Sequence, residues 1–426
     1  MKNKEKLYST ALASIALVLF LIFNSSTASA SAIQSNSPII NETQITTNGS
    51  DQQRPEIYRD RIVWFDLRNE KWDIYMYNLS TSRETQIPIN GTMPYRPLIY
   101  GDRIVWGDSI FTNTDSNGYS YPLPVIYMYD LSTSKQTQIS ASEAAMSPAI
   151  YGDRIVWMNS RNSGEWDYSD PENWDIYIYN LSDSKETQLF PDESMKIIPV
   201  IYEDKIIWMD PRSAGRGNYW NLDGNWDTCM YLSAHNRSSQ MFPAIYEGKI
   251  VWMDSRNGGS GDYWNLTGNW DIYMYDLSTH KETQITTDVS PQLYPAIYSD
   301  TIVWLDAGSG DRANWEICGY NLTTSKEIQI NTIRPWRYYH PAIYGNRIVW
   351  MDLRTRDWEI YMYDLSTSRE TQITINSSHS QSPASPAIYG NRIVWEDERN
   401  GNKDIYMYTV SGENTGSNTE QYSDRE

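Results

Sequence analysis

The chain has 426 residues, a formal net charge of −19, 18 tryptophans, 33 tyrosines and only two cysteines. An acidic balance of that size argues against nucleic acid and against adhesion to anionic lipid. Two cysteines exclude a disulfide scaffold.

Residues 1–30 have the layout of a secretory signal. Lys2, Lys4 and Lys6 form a basic start, Ala11 to Phe23 an apolar core, and Ala28-Ser29-Ala30 a small-residue cleavage site. The core is short for a membrane span, so the expectation is cleavage, giving a mature chain of charge −21 once the three lysines and Glu5 are gone. An uncleaved anchor is the alternative.

Residues 31–410 carry one phrase repeated eight times, typified by Pro243 to Thr286. Its marker is an apolar run ending in tryptophan, at Trp64, Trp106, Trp157, Trp208, Trp252, Trp304, Trp350 and Trp395, with spacings from 42 to 52 residues. A period of that size means a solenoid or a propeller. Within the unit, Pro243–Tyr246 is a short apolar strand, Glu247-Gly248 a tight turn, and Ile250–Met253 a strand of β-branched and aromatic residues. Asp271–Leu277 alternates Ile272 and Met274 against Tyr273 and Tyr275, so both of its faces are hydrophobic. A serine-threonine turn leads to the polar strand Thr283–Thr286. Four antiparallel strands with two apolar faces need cover on both sides, and a radial array supplies it. The expectation is an all-β chain: a single eight-bladed β-propeller of four-stranded antiparallel blades. The last repeat lacks a Thr-Gln-Ile strand, and Glu42-Thr43-Gln44-Ile45 supplies one at the other end of the sequence. The N-terminal strand should therefore complete the last blade and close the ring. Blade four is irregular, with only twelve residues from Tyr231 to Pro243, so its outer strand is expected to be lost or shortened. Residues 411–426 read as a disordered acidic tail.

Cys229 and Cys318 fall on third strands of non-adjacent blades, which speaks against a disulfide between them. Sequons occur at Asn90, Asn236, Asn265 and Asn376, plausible glycan sites in an exported chain. Those at Asn78, Asn180 and Asn321 share one repeat position where Asp alternates with Asn, so they are read as accidents of the repeat.

Function is expected on the face bearing the loops between second and third strands, which are long in blades two to five. They carry Tyr119, Tyr121, Trp166, Tyr168, Tyr219, Trp220, Tyr263 and Trp264, and the linker before blade seven adds Trp336, Tyr338, Tyr339 and His340. Aromatics beside Asn, Asp and Arg suit stacking on sugar rings or gripping a peptide. The recurrent Asp-x-Arg (Asp66/Arg68, Asp254/Arg256, Asp397/Arg399) and Trp-Asp pairs recur in too many blades to be one differentiated site, and are read as structural. No metal site is expected. The histidines lack ligand spacing, and Asn113–Gly118 resembles a calcium loop but has Pro124 where a bidentate glutamate is needed.

The phrase Ile-Val-Trp-x-Asp…Asp-Ile-Tyr-Met-Tyr-Asp-Leu…Glu-Thr-Gln-Ile-Thr resembles the TolB-like β-propeller repeat family over residues 41–410, and is most similar to exported cell-surface propeller proteins of methanogenic archaea. The resemblance implies the propeller fold and a scaffold or binding role. Many such relatives have six or seven units, and no partner hydrolase domain is present. The resulting expectation is a secreted or cell-surface, non-catalytic, monomeric binding protein without cofactor, recognising a glycan or protein partner. A glycan-processing hydrolase or lyase with carboxylates on the same face is the alternative from another class, and a structural envelope component is a third.

Overall fold

The computed structural model describes residues 42–89, 94–114, 120–142, 144–160, 174–189, 191, 196–209, 229–231, 240–258, 269–308, 315–330, 340–353, 357–374 and 386–410, with backbone alone at 96, 110–114, 120–123, 209, 229–231 and 329. The expected signal segment 1–30 and the expected tail 411–426 lie outside the described residues.

The chain is an all-β propeller, with no helix among the described residues. Apart from the fourth, each repeat folds as an antiparallel meander. In the fifth, Gln240–Tyr246 pairs with Lys249–Asp254, that strand with Asp271–Asp276, and the last with Lys281–Gln284. The first strand is innermost. Its turn to the second strand uses positive φ, supplied by glycine at Gly101, Gly152, Gly345 and Gly390.

Both faces of the third strand are covered, as their apolar character requires. Ile272 and Tyr273 are 0% and 5% exposed. None of the eight repeat tryptophans exceeds 3%. Trp64 stacks on Tyr75 of its own sheet at 6.3 Å, and together they pack against Val394, Ile405 and Met407 of the neighbouring sheet. Burying such a pair stabilises each interface by a few kcal/mol, at about 1.5–3 kcal/mol per large apolar side chain.

Closure follows the leftover phrase. Glu42–Gln44 is the outer strand of the sheet containing Ala387–Tyr389, Arg392–Asp397 and Asp404–Thr409, with Thr43 opposite Met407. Ile45 N–H donates to Ile405 O at 2.7 Å, Ile405 N–H donates to the Thr46 hydroxyl at 2.8 Å, and Arg399 holds Glu42 at 2.6 Å.

Among the described residues seven sheets have four strands and one has three, Ile197–Tyr202, Lys205–Met209 and Cys229–Tyr231. The expected eight blades of four antiparallel strands are thus not all found among the described residues, and the exception is the repeat expected to be irregular. In the fourth sheet the third strand runs parallel to its neighbour, Ile206 opposite Cys229. In sequence, the position of the fully buried Ile74, Ile272 and Ile405 of other third strands is Thr228 in this repeat, a weaker apolar anchor, and among the described residues no fourth strand pairs there to pin the register.

A second difference concerns repeat two. Its long loop is largely a hairpin extension, Arg103–Thr114 paired with Ser120–Asp130, with Thr114 opposite Ser120. Asn113 is in a strand opposite Tyr121, and Pro124 pairs with Ser109.

Candidate functional site: the axial channel

The inner strands set the site. In Gln240–Tyr246, Met241, Pro243 and Ile245 are buried while Phe242, Ala244 and Tyr246 are partly exposed. Alternate side chains of each inner strand therefore face the axis, and the channel is built of three tiers.

The upper tier is the residue before the proline, which among the described side chains is Arg54, Ser147, Ile198, Phe242, Tyr294 and His340. In five of them the backbone is left-handed, at Arg54 (φ 54°), Ser147 (50°), Ile198 (51°), Phe242 (52°) and Tyr294 (54°). Such φ is unusual for non-glycine residues, above all a β-branched one. It coincides with a bulge in each of these strands, for example between Met241 and Ala244, that re-aims the side chain. Strain of about 1–3 kcal/mol at each is held by the surrounding ladder, as at many ligand sites.

Three upper-tier rings form one crescent. Tyr294 meets the edge of Phe242 at 4.6 Å and stacks flat on His340 at 4.1 Å and 11°. Ile198 packs against the same cluster. His340 is exposed and Phe242 partly so. In the first repeat Arg54 is exposed, its backbone N–H donating to Glu396 Oε2 at 2.8 Å.

The middle tier is small, with Ala149, Ala244, Ala296, Ala342 and Ala387 joined by Leu98, Val200 and one carboxylate, Glu56.

The lower tier is a closed ring of eight tyrosines. Tyr58 meets Tyr100 at 5.0 Å, and the contacts continue through Tyr151, Tyr202, Tyr246, Tyr298, Tyr344 and Tyr389 at 4.5–5.6 Å, returning to Tyr58 at 5.1 Å. Hydrogen bonds join the hydroxyls of Tyr58 and Tyr151 to Tyr100, and that of Tyr344 to Tyr298 and Tyr389. Burial, with the neighbouring phenols, pushes Tyr58 and Tyr151 up to about 12 and Tyr344 higher still. These three phenols therefore stay neutral at ordinary pH. Arginines strap the adjacent turns together: Arg61 donates to Gly101 O at 2.8 Å, Arg103 to Gly152 O at 2.7 Å, and Arg392 to Arg59 O at 3.0 Å.

The predicted loop aromatics Tyr119, Trp166, Tyr168, Tyr219, Trp220, Tyr263, Trp264, Trp336 and Tyr338 lie outside the described residues, as do Asn90, Asn236, Asn265 and Asn376. Tyr121 is placed by its backbone alone, opposite Asn113. Of the linker group, His340 is brought into the channel crescent. The other upper-tier residues and the tyrosine ring are not among the sequence-predicted site residues. Their signal is the phrase x-Pro-x-Ile-Tyr, constant at Pro and Tyr and variable at its first position.

The repeated carboxylates are structural where described. Asp254 accepts from Trp252 Nε1 at 3.2 Å and from Arg256 at 2.6 Å, and Arg256 also bonds Glu282 and lies 4.0 Å over the Tyr273 ring. Burial raises the Asp254 carboxyl, but the hydrogen bonds and charge of Arg256 outweigh it and hold the group below the usual range. Asp66 with Arg68 repeats this arrangement. Asp271, in register opposite Asp254, is raised instead, by burial, despite bonds from Asn257 and Thr286. Asn78, Asn180 and Asn321 cap their serine-threonine turns as Asp130 and Asp276 do. Cys318 is a free thiol, pushed up to about 12 by burial. Among the described residues, no group of three or more His, Cys, Asp or Glu is arranged to hold a metal.

By sequence, no family model and no curated protein matches the chain. By structure it is similar to an oligogalacturonate lyase from Vibrio parahaemolyticus (TM-score 0.53, 10% identity, 87% of this chain and 93% of that one). It is also similar to an oligogalacturonate lyase in complex with manganese (0.52, 10%, 87% and 93%) and to a prolyl endopeptidase (0.55, 11%, 83% and 55%). At such identity the likeness is one of fold.

Proposed function

We propose that this chain is an exported, non-catalytic, monomeric binding protein of the cell surface, of TolB-like character, which takes a glycan or protein ligand at the axial mouth on the bulged ends of its inner strands. The reading includes an eight-unit ring in which Ile197–Tyr231 is an incomplete blade. Tyr202 from that unit bridges Tyr151 and Tyr246 in the tyrosine ring, which supports counting it as one of eight.

One observation carries the binding reading. The pre-proline residue is where the inner strand ceases to repeat, and there the backbone is strained to aim different side chains at the channel. A pure spacer gains nothing from such strain. Phe242 and His340, held on the buried ring of Tyr294, offer aromatic surface of the kind that stacks on sugar rings or apolar side chains. The long loops of repeats two to five would extend that surface.

The enzyme alternative rests on Glu56, the one carboxylate of the middle tier, which a hydrolase or lyase would use as acid or base. The test is a glycan-array and pull-down screen of the mature chain beside Phe242→Ala/Tyr294→Ala of unchanged melting temperature. Binding lost only in the variant is the expected result. Equal binding by both would remove the mouth as the site, and product formation abolished by Glu56→Gln would favour the enzyme.

A further inference from the structure

The ring geometry fixes how the tyrosines stand. Rings lying flat across an axis would be nearly coplanar with their neighbours, whereas upright rings around eight positions would be turned by about 45° from one to the next. The observed angles run from 36° to 52°, so the phenols stand upright as staves. Centroids about 5 Å apart leave no room for such rings to meet edge to edge, so they turn faces to one another and edges to the axis. Hydroxyls close enough to share hydrogen bonds must converge inward of the centroids. Eight oxygens spaced by about 3 Å make a circle of roughly 4 Å radius, leaving an aperture of about 5 Å once the oxygens' own size is removed. Water passes such an opening. A pyranose ring does not.

Above this floor five of the eight middle-tier residues are alanines. Four residues separate Tyr294 in the mouth from Tyr298 in the floor, a depth of about 13 Å at about 3.3 Å per residue. The arginine straps between adjacent turns hold the floor in place, so it needs no ordering when a ligand arrives.

We infer that the channel is a blind socket for the terminal residue of a saccharide chain, which enters end-on past the aromatic crescent and sets its hydroxyls on the tyrosine floor. This rests on the mouth being the binding site. The chemistry of the floor selects the class. Neutral phenols offer no charge to a carboxylate or an ammonium, yet each oxygen bonded within the ring keeps acceptor capacity for a sugar hydroxyl. Glu56 supplies a further acceptor on the wall. The crescent gives a face for the sugar's C–H bonds, and the alanines leave space for a ring where larger side chains would fill it. A floor impassable to a pyranose makes the ligand a chain end, since the middle of a polymer cannot reach it.

The test compares short linear oligosaccharides with cyclodextrins, which have no end, for binding to the mature protein by calorimetry. A triple Tyr58→Phe/Tyr151→Phe/Tyr344→Phe variant keeps the rings and removes three hydroxyls, and the Phe242→Ala/Tyr294→Ala mouth variant runs beside it. Expected are binding of a linear chain, no binding of the cyclic one, and at least about tenfold weaker binding in the floor variant, the size of one to two lost hydrogen bonds. Cyclic chains bound as well as linear ones overturn the socket. So does a floor variant of unchanged affinity, and if the mouth variant still loses binding, the mouth reading survives alone. Capture of a protein with no saccharide bound also overturns the socket.

Discussion

Gly107 lies directly under the ring of Tyr95: a Cβ on the glycine would stand 2.0 Å from Tyr95 Cζ. The two are register partners, where other repeats pair Met146 with Met158 or Met241 with Met253. One large ring with no opposing side chain replaces two medium ones. The exchange also gains a link between sheets, because the Tyr95 hydroxyl donates to Ala145 O at 2.9 Å. Gly107→Ala should destabilise by about 1–3 kcal/mol through overpacking. Tyr95→Met with Gly107→Met should recover most of that, so a denaturation double-mutant cycle should show strong coupling. Additive effects would mean the ring is free to move aside.

Acid should act through Asp66 and Asp254. Both carboxyls are held below their ordinary value in the folded chain, so their stabilisation is present above the unfolded value of about 3.9 and is lost as pH falls toward the folded one. Asp254→Asn removes the charge facing Arg256 and should cost about 2–4 kcal/mol at neutral pH. The variant should also have a flatter stability curve below about pH 4. An unchanged acid limb, measured by thermal melts across pH, would remove Asp254 from this role.

Alkali should act through the tyrosine ring. Tyr58 and Tyr151 are pushed up to about 12, above an unfolded value near 10. The folded chain then holds protons that the unfolded chain has released, so stability should fall as pH rises from about 10 to about 12. Tyr58→Phe/Tyr151→Phe should soften that fall. Absorbance titration should show a late-ionising class of phenols, and titration of every tyrosine near pH 10 in the folded protein would contradict the ring.

Strain in the mouth is open to direct measurement at Ser147, whose side chain joins none of the aromatic contacts. At φ 50° glycine sits without steric cost. Ser147→Gly should therefore be neutral to stabilising by up to about 1 kcal/mol, against the usual loss of about 0.5–1 kcal/mol for glycine in a strand. A loss of that usual size would mean the backbone there is not strained.

Much of the fold was legible because hydrophobic period and turn chemistry agree in every repeat. Ile250–Met253, the two-faced strand at Ile272–Tyr275 and the orphan Thr-Gln-Ile at residues 43–45 each imply the strand now seen. The fourth sheet was legible only in part. Its three described strands agree with the short count from Tyr231 to Pro243, whereas the parallel pairing of Cys229 has no signal in the repeated phrase. The channel was hidden for a different reason. Its residues are not a local motif: eight tyrosines 42–52 residues apart meet only when the ring closes, as Tyr58 does with Tyr389. Unequal loops drew the reading outward, while the variation that faces the axis is a single position beside an invariant proline.

The seam between Gln44 and Asp404 joins residues 360 apart. The segment synthesised early is thus the last to find its partner, since Asp404–Thr409 must exist before Glu42–Gln44 has a strand to lie against. Local meanders form quickly from neighbouring residues, but ring closure carries the sequence separation of nearly the whole chain. Until then the open array exposes the unpaired edge of its last sheet, as well as the tyrosines that a closed ring half-buries. Biogenesis, more than the finished ring, is where this protein is exposed to aggregation and to proteases.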